Sequence, residues 1–315
     1  MREKILRVFK KGGPYYLFYW LMRRSGLLYK LSDKSAISIE YQANMGGGIN
    51  WKSPKTYNEK LQWLKLYDRN PLYTILVDKY LVKDWVANHC TQGTEILIKT
   101  LGRWNSFDEI DFTSLPDRFV LKTNHGSGNT AVVICRDKSI FNKDDAKQKL
   151  ESSLMQDVYK VSREWPYKNV KRCIIAEEYM EDKKTGELRD YKFFCFDGEP
   201  KALFVASGRQ NHEEPFFDFY DIDFNHLDLR CPHPQSDTPI EKPETFEVMK
   251  DIARQLSKGF PHVRVDLYEI NGKPYFGEMT FYHWEGLMPF YPEEWNYRFG
   301  EWLILPESNI KNERH

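Results

Sequence analysis

Two short turn signals constrain this chain most. Asp197-Gly198 and Asn271-Gly272 each stand between two apolar runs of strand length. Such turns join only antiparallel neighbours, because a parallel pair needs a long crossover. The same punctuation recurs from residue 119 onward: FVLKT (119–123), TAVVIC (130–135), RCIIAEEYM (172–180), LRDYKFFCF (188–196), PKALFVAS (200–207) and a further β region over 215–229. Helical stretches alternate with these runs. KTYNEKLQWLKLYDRNP (55–71) opens with Thr56 three residues before Glu59, a capping box. DKYLVKDWVANH (78–89) sets Tyr80, Leu81, Trp85 and Val86 as its apolar residues, a polar helix is expected near 143–155, and 244–260 places Phe246, Met249, Ile252, Ala253 and Leu256 on one face. The pattern predicts an α+β fold built on antiparallel sheets, not a doubly wound parallel one.

Composition narrows the function. The 315 residues are 41% hydrophobic and 15% aromatic, which excludes a disordered chain. Lys and Arg number 46 against 46 Asp and Glu, so no general attraction to nucleic acid is expected. The balance is uneven, however. Residues 1–35 hold nine basic residues (Arg2, Lys4, Arg7, Lys10, Lys11, Arg23, Arg24, Lys30, Lys34) and only Glu3 and Asp33 as acids. Within them PYYLFYWLM (14–22) is too short to span a bilayer. This segment reads either as a helix packed on the main body or as one lying at the cytoplasmic membrane face. The cysteines, Cys90, Cys135, Cys173, Cys195 and Cys231, are odd in number and never spaced CxxC, which argues against a disulfide framework or a zinc site and for a reducing, cytoplasmic setting.

The last hairpin, residues 262–281, carries the strongest chemical signal. Strand alternation sends Arg264, Asp266 and Tyr268 to one face, and Glu278 and Thr280 also share a face. A three-residue loop (271–273) would set Asp266 opposite Glu278 and Arg264 opposite Thr280. A two-residue Asn-Gly turn would put Glu278 on the wrong side. Two carboxylates and a hydroxyl beside an arginine suit Mg²⁺ and phosphate, although a solvated salt-bridge ladder has the same pattern. Lys122 precedes the loop Asn124, His125, Gly126, Ser127, Gly128, whose backbone can approach phosphate oxygens; a plain turn is the alternative. Glu177, Glu178, Tyr179 and Met180 close one strand, and Asp190 and Lys192 share a face of the next, as edge charge or as a cradle for adenine and ribose.

Taken together, SPKTYNEKLQWLKLYDRNPLYTILVDKYLVKDWV (53–86), LPDRFVLKTNHGSGNTAVVICRDKS (115–139), REWPYKNVKRCIIAEEYM (163–180), DYKFFCFDGEPK (190–201) and VRVDLYEINGKPYFGEMTFY (263–282) resemble, in order, the blocks of the TupA-like ATP-grasp family of bacterial cell-surface polysaccharide loci. The resemblance implies two α+β halves clasping ATP, divided as an N-terminal basic segment 1–50, a helical subdomain 51–117, a flap and adenine subdomain 118–185 and a Mg²⁺-binding core 186–315. It implies Lys79 and Lys122 on phosphates, with Gly126, Ser127 and Gly128 as the flap and His125 beside it. Glu177, Glu178, Tyr179 and Met180 become the adenine linker, and Asp190 and Lys192 lie toward ribose and phosphate. Asp266 and Glu278 become the Mg²⁺ carboxylates and Arg264 the stabiliser of the transferring phosphoryl group. Thr280 departs from the asparagine common in ATP-grasp ligases.

The expected activity is an ATP-dependent carboxylate–amine ligase. Its partners would be an acidic glycan or nucleotide-linked sugar acid and an amino-acid amine, with Arg163 and Arg209 as anion anchors. A nucleotide-sugar glycosyltransferase using Asp221 and Asp223 is the alternative, and a non-catalytic glycan-binding relative is a third reading.

Overall fold

The computed structural model describes residues 2–126, 128–184, 186, 188–208 and 214–307. The chain forms two compact units, the smaller of Met1–Asn70, Tyr159–Trp165 and Tyr282–His315, the larger of Pro71–Val158 and Pro166–Phe281.

The smaller unit is helical where described. Its first helix, Arg2–Arg24, is broken at Gly12 and Gly13, which leave helical geometry just before Pro14. Helices Asp33–Met45, Tyr57–Tyr67 and Glu294–Trp302 follow. The expected capping box is present: the Thr56 hydroxyl accepts from the Glu59 amide at 3.2 Å and the Glu59 carboxylate accepts from the Thr56 amide at 3.1 Å. This fixes the start of a helix that buries Tyr57 against Phe290 and Phe299. Buried Lys65, on the same helix, donates to the carbonyls of Ser162 and Glu285 at 3.0 and 2.7 Å, so its charge is met without leaving the core.

Every described strand belongs to the larger unit. Strands β1 (Thr100–Trp104), β2 (Phe119–Thr123), β3 (Val132–Cys135) and β4 (Ile174–Glu178) form a sheet in the order β1-β4-β2-β3. Strands β5 (Asp190–Phe196), β6 (Glu199–Ser207), β7 (Phe216–Asp221), β8 (His262–Ile270) and β9 (Lys273–Thr280) form a second in the order β7-β6-β5-β8-β9. All named pairs are antiparallel, as the turn signals require.

Each sheet has one face under a helix, which leaves the other for chemistry. On the first sheet Phe119, Leu121, Ile174 and Ala176 pack with Ala146 and Leu150 of helix Lys143–Met155. Alternation therefore turns Val120 and Lys122 of β2 and Ile175 and Glu177 of β4 the opposite way. On the second sheet, helix Phe246–Ser257 buries Phe246, Met249, Ile252, Ala253 and Leu256, the face the sequence predicts, with Phe246 against Phe193 of β5. Side chains of this size each contribute about 1.5–3 kcal/mol on full burial. Asp190, Lys192, Arg264 and Asp266 occupy the other face.

One helix differs from expectation. In 78–89 the regular helix is Val82–His89 and buries Val82 and Val86, while Tyr80 and Leu81 are exposed. The cause is local: Asp78 accepts from the amides of Tyr80 and Leu81 at 2.8 and 3.2 Å, holding a turn that displaces these residues from the helical stripe. Among the described residues, no helix is long and apolar enough to cross a membrane.

Candidate active site

The register of β8 and β9 sets the site. Ile270 pairs with Lys273, so the turn is the two-residue Asn271-Gly272 and not a three-residue loop. Alternation alone would then turn Glu278 away from Asp266. A β-bulge corrects it: Leu267 pairs with Phe276 but Asp266 pairs with Glu278, leaving Gly277 as the extra residue. Beyond the bulge Arg264 faces Thr280. Glycine suits this position because a Cβ there would stand 3.0 Å from the Asp266 carbonyl and 3.1 Å from the Tyr268 ring.

The facing side chains form one ionic cluster. Arg264 donates through Nε to Asp266 Oδ1 at 2.7 Å and through Nη2 to Asp266 Oδ2 at 2.8 Å, a two-point contact from the same strand. Its Nη2 also reaches Thr280 Oγ1 at 3.0 Å and Glu278 Oε1 at 3.5 Å. Lys192, paired with Asp266 across β5 and β8, donates to Asp266 Oδ2 and lies 3.7 Å from Asp190 Oδ2. Lys79 stands 3.2 Å from Glu278 Oε2. Burial opposes ionisation of Glu278, but Lys79, Lys192 and Arg264 outweigh it and hold its carboxyl far below the usual range. Glu278 is therefore ionised at neutral pH in this setting.

Lys79 also connects this cluster to the loop after β2. Its Nζ donates to the Gly126 carbonyl at 2.8 Å, and its amide donates to the Asn124 carbonyl at 2.9 Å. Asn124 is itself locked: its side chain donates to Asp78 Oδ2 at 2.7 Å and accepts from the Cys173 amide at 2.9 Å. Gly126 admits no side chain, since a Cβ would fall 2.3 Å from Ala131 and 2.4 Å from Thr123 Oγ1. Gly128 has φ +62 and open space around it. The loop is thus pinned at its base and open at its tip.

On the first sheet, Glu177 lies between two lysines. Lys122 Nζ is 2.5 Å from Oε2 and Lys83 Nζ is 2.6 Å from Oε1. Burial pushes the Glu177 carboxyl up, and the two ammonium groups bring it below its ordinary value. Lys83 also donates to the Ile98 carbonyl at 2.6 Å and Thr100 Oγ1 at 2.8 Å. Sequence reasoning did not select Lys83. No local spacing marks it, because its partner Glu177 lies on a distant strand.

The remaining candidates are placed as follows. Glu178 ends β4 exposed, and its amide donates to the Lys99 carbonyl at 3.0 Å. Tyr179 lies under the Arg118 guanidinium at 4.0 Å, and Met180 follows it half-buried. Asp190 is buried at the start of β5. His125 is buried and its pKa falls to about 4, through burial first and then Arg172, so it is a neutral ring at pH 7. Ser127 and Arg209 lie outside the described residues. Arg163 belongs to the smaller unit, where it donates to Asp33 Oδ1 at 3.1 Å and the Leu28 carbonyl at 3.0 Å. There it ties Asp33 to the Leu28 carbonyl. Asp221 of the DxD triplet closes its own loop, accepting from the amides of Asp223 and Asn225 at 2.9 and 2.8 Å.

The donor set fits Mg²⁺ and a triphosphate. Asp266 and Glu278 offer hard carboxylate oxygens beside the Thr280 hydroxyl, and Mg²⁺ takes one or two protein carboxylates with phosphate and water. Among the described residues no group of three His, Cys, Asp or Glu side chains is placed to hold a metal ion, so phosphate and water would supply the rest of the shell. Lys79, Lys83, Lys122, Lys192 and Arg264 supply the counter-charge that a polyphosphate needs.

The family described as TupA-like ATPgrasp matches residues 59–304. No protein of curated function matches the chain significantly by sequence. Among solved structures, D-alanine–D-alanine ligase from Bacillus anthracis is similar at 18% identity over 66% of this chain and 57% of that one, with a TM-score of 0.38. The corresponding ligase from Helicobacter pylori gives 14% identity, 79% and 69% coverage and a TM-score of 0.43. An L-amino acid ligase from Bacillus licheniformis gives 14% identity, 73% and 50% coverage and a TM-score of 0.44. The chain therefore spans little more than half the length of the B. anthracis ligase, at 57%.

Proposed function

Because the chain belongs to the TupA-like ATP-grasp family, we propose that it is an ATP-dependent ligase that joins a carboxylate to an amine. One observation carries the reading: Asp266 and Glu278 face each other across β8 and β9 with Arg264, Lys192 and Lys79 around them. Mg²⁺ and ATP, when bound, supply the electrophilic γ-phosphoryl group and neutralise part of its charge.

The chain's own residues bring two anions together. Asp266 and Glu278 would hold the cation, and Glu278 would do so without first losing a proton. Lys122, and Lys79 from the other side of the Gly126 loop, contribute fixed positive charge toward the α- and β-phosphates. Lys192, paired with Asp266 here, would meet phosphate where that carboxylate served a cation. Arg264 presents a planar guanidinium to the charge that develops as the phosphoryl group passes to the acid. The acid oxygen attacks phosphorus and ADP leaves. An amine then attacks the acylphosphate carbonyl, phosphate departs with the C–O bond, and the amine proton is lost, leaving an amide. Gly126 and Gly128 allow the loop backbone to close over phosphate, and Glu178, Tyr179, Met180 and Asp190 border adenine and ribose.

The substrate class rests on the family's association with surface polysaccharide. The acid is a uronic acid or similar sugar acid, free or nucleotide-linked, and the amine comes from an amino acid. The deciding experiment measures thermal stabilisation by Mg²⁺·ATP and substrate-stimulated ADP release. The stabilisation should vanish in Lys122→Ala and Glu278→Ala and ADP release should fall in both; stabilisation by a UDP-sugar and not by ATP sinks the ligase reading. Mass spectrometry of the surface polymer with and without the gene should reveal a missing amide-linked amino acid.

A further inference from the structure

The two sides of the first helix differ in what covers them. Toward the body, Tyr19 joins Leu28 and Ala36 in a buried cluster flanked by Tyr16, Met22 and Leu31. The Tyr19 hydroxyl donates to Glu40 at 2.5 Å and accepts from Arg23 at 2.7 Å, fixing the rotation of the helix about its axis. That rotation turns Phe18 and Leu21 outward, 48% and 47% exposed on consecutive turns, and Leu27 beyond the helix end is 48% exposed. Pro14 and Ser25, at the same helical spacing, are exposed too. The outward stripe is therefore apolar although the inward stripe already serves the core.

Charge identifies what this stripe meets. Residues 1–35 carry nine basic and two acidic residues in a chain whose formal net charge is zero. Residues 14–30 hold no acid and expose Arg24 and Lys30, so two copies of this face brought together would oppose like charges and self-association is disfavoured. An anionic lipid surface attracts them and accepts the apolar side chains as well. Arg24, exposed, lies over the Trp20 ring at 5.2 Å. Aromatic rings with adjacent guanidinium groups suit the headgroup level of a bilayer. The helical part from Pro14 to Arg24 is roughly 16 Å long, about half a hydrocarbon core, so it can lie along a membrane but not cross it.

We propose that the exposed face of residues 14–30 docks on an anionic membrane surface. Phe18, Leu21 and Leu27 enter the acyl boundary, and Arg24 and Lys30 meet lipid phosphates. The inference uses the smaller unit alone and stands whether or not the ligase reading does. The test is co-sedimentation of the full chain with vesicles of phosphatidylcholine alone and of phosphatidylcholine mixed with phosphatidylglycerol. The chain should bind only the mixed vesicles and be released by salt. Phe18→Ser with Leu21→Ser, and separately Arg24→Glu with Lys30→Glu, should each weaken binding about tenfold or more without changing thermal unfolding. No binding to mixed vesicles, equal binding to both kinds, or unaltered binding by both double variants overturns the proposal. So does a salt-stable dimer that the Phe18 and Leu21 changes dissolve, which would assign the face to a second copy.

Discussion

The two sheets of the larger unit use their open faces in opposite ways. On the four-stranded sheet one carboxylate, Glu177, is held between two lysines, Lys83 and Lys122, and the cations outnumber the acid. On the five-stranded sheet Asp190, Asp266 and Glu278 gather around Lys192 and Arg264. A cationic face suits phosphate and an acid-rich face suits a divalent cation, so a metal–polyphosphate complex has a complementary surface on each side. Lys79 belongs to neither sheet and touches both regions, through Gly126 and Glu278. The lesson is that charge is divided by sheet, and that register decides which residues take part.

The largest effects should therefore come from the acid-rich face. Glu278→Ala removes one of the two facing carboxylates while leaving the strand register intact. ADP release should fall on the order of 10³-fold or more. Gly277→Ala, whose Cβ meets atoms at 3.0 and 3.1 Å, keeps the register and should cost far less. Equal turnover in Glu278→Ala and the parent chain would show that the facing pair is not the catalytic centre.

The cationic face should respond less, and in ATP dependence above all. Lys122→Ala removes a charge from the phosphate side and should lower kcat/KM for ATP roughly 10²-fold. Lys83→Met should cost about tenfold, because Lys122 still pairs with Glu177 but is no longer balanced by a second ammonium group. A Lys83 effect as large as that of Lys122 would place Lys83 directly on the nucleotide and redraw the division.

How much of this was legible in the sequence depends on range. Strands, hairpins and the Thr56 capping box follow from contacts a few residues apart, and these were readable. The facing of Asp266 and Glu278 was also expected, but through a three-residue loop, whereas the chain uses Asn271-Gly272 and a bulge at Gly277. Alternation cannot show which residue of a strand is left over. The contacts of Arg163 were not readable for a different reason. Its partners, Asp33 and the Leu28 carbonyl, lie more than a hundred residues away, and no local pattern joins them. Lys83 was hidden because its role comes from Glu177, on a strand far along the chain.

The subtlest contrast is in proton uptake, for each sheet region buries one neutral histidine. His125 follows β2 and His262 opens β8, where its Nδ1 lies 2.9 Å from the Cys195 carbonyl and its ring stacks on Phe196. Burial pushes His262 down to about 3 and His125 to about 4, from an ordinary 6.5. With folded values depressed, the unfolded chain binds more protons below pH 6.5, so stability falls as pH falls through that window. Each histidine contributes a slope of about 1.4 kcal/mol per pH unit well below its unfolded value. Glu177 and Glu278, also depressed, extend the loss only below their ordinary 4.5. Urea unfolding between pH 6 and 5 therefore reports the histidines against the opposing effect of Glu40, Asp78 and Asp218, whose carboxyls burial raises. His262→Gln, which retains a donor for the Cys195 carbonyl, should flatten the slope by about one proton. An unchanged slope in that variant would mean that the five-stranded sheet admits a charged His262, and the pH dependence would then belong to the four-stranded side alone.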